Sequence, residues 1–168
     1  VNDISGIQSI VVNADGTVAL APVSGNVGIG TTSPSAPLHI SQTDTGNTIL
    51  LESTEAGSAH APNIQFYRNS ASPAVSDQIG AITFTANDDG GAQSNIAKIY
   101  SYMEDETAAT ENGVVILQVA EAGSLRNNLV VGSTLVSVNS SQRNVDFRIL
   151  SDDGNVNLYS DAGNNRIG

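Results

Sequence analysis

The chain has 168 residues, 39% hydrophobic and 4% aromatic, with no Cys and no Trp, and its 17 acidic and 6 basic residues give a formal net charge of −11. Without Cys there is no disulfide scaffold, thiolate zinc site or thiol nucleophile. So acidic a balance repels phosphate backbones and anionic membranes, both of which need clustered Lys and Arg, and solubility accounts for the charge.

The apolar set is Val, Ile, Leu and Ala diluted by Gly, Ser, Thr and Asn, which favours short β-branched strands joined by tight turns. The expected fold class is all-β. Bulky side chains are too few to cover a monomer, so part of the apolar surface is expected to meet another chain. No apolar run approaches bilayer length and no charged-then-apolar leader follows Val1; the start without Met is what a piece of a larger polypeptide would show.

The first element repeats at the far end. Asn13-Ala14-Asp15-Gly16-Thr17-Val18-Ala19-Leu20 lies on Ser151-Asp152-Asp153-Gly154-Asn155-Val156-Asn157-Leu158 at a constant offset of 138, matching Asp-Gly, Val and Leu. At that offset Gly25-Asn26 falls on Gly163-Asn164, and Ile7, Ser9 and Val11 fall on Val145, Phe147 and Ile149. The expected organisation is therefore a connector (1–46), a larger inserted module (47–135) and the connector again (136–168).

In the module the candidate strands are Thr48 to Glu52, Asn63 to Arg68, Gln78 to Ala86, Asn95 to Met103, Val114 to Ala120 and Asn128 to Val131. Ile64 and Phe66, then Ile82 and Phe84, then Val115, Leu117 and Val119 occupy alternate positions and are the expected core face of a compact β-sandwich. Glu104 to Asn112 is charged and Thr-rich and reads as a loop. In the second connector, Asn144 to Ile149 alternates polar and apolar, and Asp-Gly pairs supply the positive φ of tight hairpins. Strands this short make no core alone, but wrapped around a threefold axis their apolar faces meet, as in a β-prism or intertwined β-helix.

Ser24-Gly25-Asn26-Val27-Gly28-Ile29-Gly30-Thr31-Thr32-Ser33-Pro34, followed by Pro37-Leu38-His39-Ile40, resembles the connector repeated in bacteriophage tail-fibre and virion appendage proteins. Phe66 to Pro73, Asp77 to Phe84 and Asn112-Gly113 look like the module that sits between such connectors. The resemblance covers about residues 24 to 131. The closing Asp161 to Gly168 looks like the run-in to a further connector, and Val136 to Tyr159 departs from the simplest family pattern by adding strands. The resemblance implies a homotrimeric, β-rich shaft segment whose partners are two further copies of the chain and other virion proteins, exposed outside the capsid.

The chemical inventory points away from catalysis, and no catalytic, cofactor-binding or metal-ligating residue is assigned. His39 and His60 have neither metal-ligand spacing nor triad partners, and His39, between Leu38 and Ile40, is expected to face solvent. Asp88-Asp89-Gly90-Gly91, Glu104-Asp105-Glu106 and Asp152-Asp153-Gly154 do not match the twelve-residue calcium loop, whereas turns select Asp before Gly. No Lys follows Gly28 and Gly30 in the phosphate-binding position, so tight backbone packing explains these glycines. Tyr67, Tyr100, Tyr102 and Tyr159 are a thin set of sugar platforms.

Three functions follow from different classes. The first is a passive shaft that projects host-recognition elements, which predicts extensive interchain burial. The second is a module binding host cell-surface glycan or another virion protein, which predicts a side cleft with exposed Tyr. The third is a polysaccharide depolymerase, which predicts acidic residues clustered in a groove; a bacterial surface adhesin is a further, lesser reading. The expected answer is the shaft, with no enzyme, no cofactor, no nucleic acid and no membrane insertion.

Overall fold

The computed structural model describes residues 11–12, 18–19, 25–58, 60–150, 154, 156–164 and 166–167, and these are all-β, without a helix. The strands are β1 (Val11–Val12), β2 (Val18–Ala19), β3 (Val27–Ile29), β4 (Leu38–Ile40), β5 (Gln78–Asn87), β6 (Gln93–Asp105), β7 (Asn112–Glu121), β8 (Ser124–Val131), β9 (Val136–Val138), β10 (Phe147–Leu150), β11 (Val156–Asp161) and β12 (Arg166–Ile167). The chain divides into two compact units, residues 1–63 and 64–168.

In the first unit β1 and β2 form an antiparallel pair and β3 and β4 a parallel one, with Val27, Gly28 and Ile29 opposite Leu38, His39 and Ile40. Parallel neighbours ordinarily need a crossover of a dozen residues or more. Here residues 30–37 suffice because the loop folds tightly back on the pair. The Val27 amide donates to the Pro37 carbonyl at 2.8 Å, the Ser41 amide to the Ile29 carbonyl at 2.9 Å, and Asn26 Nδ2 to the Pro34 carbonyl at 3.0 Å. Gly30 has φ +73°, and a Cβ there would run into the Ser41 carbonyl oxygen, so the position requires glycine. A Cβ on Gly28 would likewise strike the Thr31 carbonyl oxygen. The glycines of this motif thus serve close backbone packing, the role expected of them.

The second unit holds a five-stranded antiparallel meander in the order β5-β6-β7-β8-β9, and a three-stranded sheet in the order β10-β11-β12. Four expected strands of the inserted module, those beginning near Gln78, Asn95, Val114 and Asn128, become β5 to β8, and β9 joins them from beyond residue 135. Their hairpins use the expected turn chemistry. Between β5 and β6, Asp88 Oδ1 accepts the Ala92 amide at 2.9 Å, and Gly91 takes φ +82°. Between β6 and β7, Asp105 Oδ1 accepts the Thr107 amide at 2.8 Å, and the expected loop narrows to residues 106–111.

Two expectations need correction. Thr48 to Glu52 and Asn63 to Arg68 form no strand; both runs are exposed, and neither has a ladder partner among the described residues. The five-stranded sheet is a single layer, and no second sheet among the described residues of its own unit faces it as a sandwich would require.

Candidate functional site: the open face of the meander

Residues paired across antiparallel strands share a face, so the register assigns every side chain of the meander to one of two sides. On one side Ile82 lies opposite Ile99, Ile99 opposite Leu117, Leu117 opposite Leu129 and Leu129 opposite Val138. Flanking rows add Phe84, Ala97 and Val119, and Val115, Val131 and Val136. A continuous apolar face therefore spans all five strands. It contains Ile82, Phe84, Val115, Leu117 and Val119 of the expected core positions, while Ile64 lies outside the strands and is 64% exposed; yet on the face itself Phe84 is 54% exposed, Val115 49% and Val136 64%.

The two buried hydrophobic residues among those described, Val114 at 3% and Ile116 at 4%, stand on the opposite side. Tyr102 and Tyr100 flank them from β6, with Val130 opposite Ile116 on β8. Period-two alternation along β7 runs equally well in either phase, because Val114 to Leu117 is apolar throughout. Its phase alone could not tell which parity this chain covers for itself.

A side chain from outside the strands reaches the open face. Phe66 lies over Gly80, so close that a Cβ there would sit 2.6 Å from the Phe66 Cβ and 2.7 Å from its Cγ. Arg68 fixes this run beside β5 through an ion pair to Asp77 at 2.8 Å and a hydrogen bond from Nη1 to the Gln78 carbonyl at 3.1 Å. Phe66 thus joins Ile82 and Phe84, as its place in the expected core face requires.

With ordinary side-chain areas, the open apolar surface of this face is roughly 800 Å², more than the ~300–600 Å² of the largest patch on a typical monomer and about what one partner buries in a specific interface. The centre of the face carries no charge, as interface centres do not, and Arg126 stands at its margin opposite Val119. In the first unit the β3–β4 pair behaves alike. Val27, Ile29, Leu38 and Ile40 share one side, with Ile29 53% and Leu38 57% exposed, while the return loop lies against Gly28 and His39 on the other.

The remaining polar candidates are structural in their contacts. His39 is half-buried, against the expectation of a solvent-facing ring, because its Nδ1 accepts the Ser35 amide at 3.3 Å and closes the return loop. His60 is exposed. Among the described residues no three His, Cys, Asp or Glu side chains come together in an arrangement that could hold a metal ion. Asp152 and Asp153 lie outside the described residues.

Two of the four tyrosines meet. Tyr100 and Tyr102 stand 6.5 Å apart at 31°, lining a cleft of about 220 Å³ with Ser76 and Gln78. Burial, then the neighbouring Tyr102, pushes the Tyr100 phenol above its ordinary range, and Lys98 Nζ sits 4.6 Å over its ring. The cleft is smaller than the usual ~300–1,000 Å³ of ligand pockets, and the lysine occupies a ring face that a sugar would need. A second cleft, of about 460 Å³, brings Arg143 and Arg166 together with Asn139 and Asp161; Arg143 Nη1 pairs with Glu121 at 2.8 Å, while its Nε and Nη2 are buried without a hydrogen-bond partner among the described residues.

No known protein family, curated protein or solved structure matches the chain.

Proposed function

We propose that the chain is a structural shaft segment of a bacteriophage fibre, a tail fibre or other virion appendage, in which three identical copies form a rod that projects host-recognition elements outside the capsid. The observation that carries this reading is the open apolar face: a sheet whose core-patterned side, apart from Phe66, has no second layer over it among the described residues of its own unit. At ~25 cal/mol per Å², roughly 800 Å² of apolar surface corresponds to about 20 kcal/mol of gross burial before the costs of association. Identical copies can supply that burial, since each presents the same greasy face to the others around a shared axis. This completes the expected sandwich-like module between chains.

Two further observations support the shaft. The pairs Val12 with Val18 and Leu150 with Val156 have the same register, each residue 138 positions from its counterpart, as a repeated connector would have. The Gly28 and Gly30 motif makes a compact parallel arch with one apolar side open, a shape that stacks along a rod.

Native mass spectrometry of the purified chain, with negative-stain microscopy of the same sample, tests the proposal. Three copies in a particle of narrow, constant width are expected. A stable monomer at micromolar concentration, or a compact globule, would overturn it.

A further inference from the structure

Resting on that reading, we infer that the unpaired run Thr48 to Glu52 of one copy adds as a strand to the edge of β5 that has no ladder among the described strands, in the next copy, so that each copy donates one strand and receives one. The inference begins from backbone hydrogen-bond accounting, since buried amides and carbonyls require partners. Along Thr48 to Glu52 no backbone-to-backbone hydrogen bond forms among the described residues, although the sequence Thr-Ile-Leu-Leu-Glu is that of a strand. Its apolar side chains stand open, Ile49 at 63%, Leu50 at 71% and Leu51 at 47%.

The complementary element is β5. It pairs only with β6 among the described strands, which leaves its outer edge without a ladder. Arg68 occupies one carbonyl at the start of that edge, that of Gln78, and from Ala81 to Asn87 the edge carries neither Pro nor charge. An uncharged edge is a template for another chain, and the register shift between Phe84 and Thr85 leaves Ala81 to Phe84 as its regular stretch, which neither lysine nor proline blunts.

Area points the same way. Ile49, Leu50 and Leu51 leave roughly 350 Å² open in ordinary side-chain areas, about half of one partner's share of a specific interface, and the open sheet face supplies the rest. Placed in register, Ile49 and Leu51 would fall on one side of the sheet and extend the row of Ile82 and Phe84. Donation from each copy to the next is a head-to-tail contact, which closes into a ring when the rotation is threefold.

Hydrogen exchange on the assembled chain tests this, together with cross-linking. The chain has no Cys, so single-cysteine variants Leu50→Cys and Thr83→Cys or Thr85→Cys can be mixed, reassembled and oxidised. The inference predicts slow exchange at the amides of residues 49–51 and a disulfide joining the two different variants. The variant Leu50→Pro, which removes one ladder donor, should weaken assembly by about tenfold or more, whereas in a solvated linker it would be neutral. An intact trimer whose residues 49–51 exchange at free-chain rates, and whose assembly tolerates Leu50→Pro, overturns the strand exchange and leaves the shaft standing. A monomer overturns both.

Discussion

At residue 80 the chain has room for glycine alone. A side chain there would enter the space held by the Phe66 Cβ and Cγ, and Phe66 is tied in place by the neighbouring Arg68 and Asp77. Gly80→Val should therefore displace Phe66 and cost about 1–3 kcal/mol, the range of overpacked positions, measured as a shift in the denaturant midpoint. A second residue-scale device is the trio Asp146, Arg148 and Tyr159. The Tyr159 hydroxyl donates to Asp146 Oδ2 at 2.7 Å, Arg148 pairs with the same oxygen at 3.3 Å and lies 5.0 Å from the Tyr159 ring centroid. The phenol's hydrogen bond, with help from Arg148 and the Ala162 amide, lowers the Asp146 carboxyl below its ordinary range, and the same bond raises the Tyr159 phenol. The carboxyl's contribution is present above its unfolded value and is lost as pH falls through the depressed one. The phenol's contribution is present below its unfolded value and is lost as pH rises through the raised one. A difference titration by ultraviolet absorbance, wild type against Tyr159→Phe, should place the Tyr159 midpoint above the ordinary value of about 10, and Asp146→Asn should return it there.

At the scale of elements, β7 carries the clearest contrast, because its neighbouring apolar residues have opposite fates. Ile116 is covered within the chain by its cross-strand neighbours, and Leu117 one position later is open. Ile116→Ala should cost about 2–5 kcal/mol of sheet stability at any protein concentration. Leu117→Asp should leave the sheet's own fold within about 0.5 kcal/mol, the usual range for an exposed position, while abolishing assembly. Circular dichroism and sedimentation velocity on the two variants separate these effects: a folded monomer is expected for Leu117→Asp. If that variant assembles normally, the open face is not the interface.

For the whole molecule, association adds to the stability that the sheet has by itself if other copies close the apolar face. The melting temperature should then rise with protein concentration, following mass action. A melting temperature that stays constant over a hundredfold range of concentration would argue for a self-sufficient chain. The three-stranded sheet of β10, β11 and β12 and the arch of β3 and β4 are too small to persist alone, since isolated short pairs are marginal in water. Their melting should follow that of the assembly.

What the sequence determined by itself was local. Composition set the all-β class, Asp88-Asp89-Gly90-Gly91 set the β5–β6 hairpin, and alternation in Ile82, Phe84, Leu117 and Val119 set which residues share a face, because each depends only on neighbours along the chain or across one turn. The tight glycines at 28 and 30 were legible for the same reason. The tertiary structure decided which face of the meander is covered, because covering depends on side chains brought in from other strands, such as Tyr100 and Tyr102 over the parity of Val114 and Ile116. It also decided that Thr48 to Glu52, strand-like in its residues, has no ladder within the described chain, since a strand exists only where a second backbone answers its hydrogen bonds.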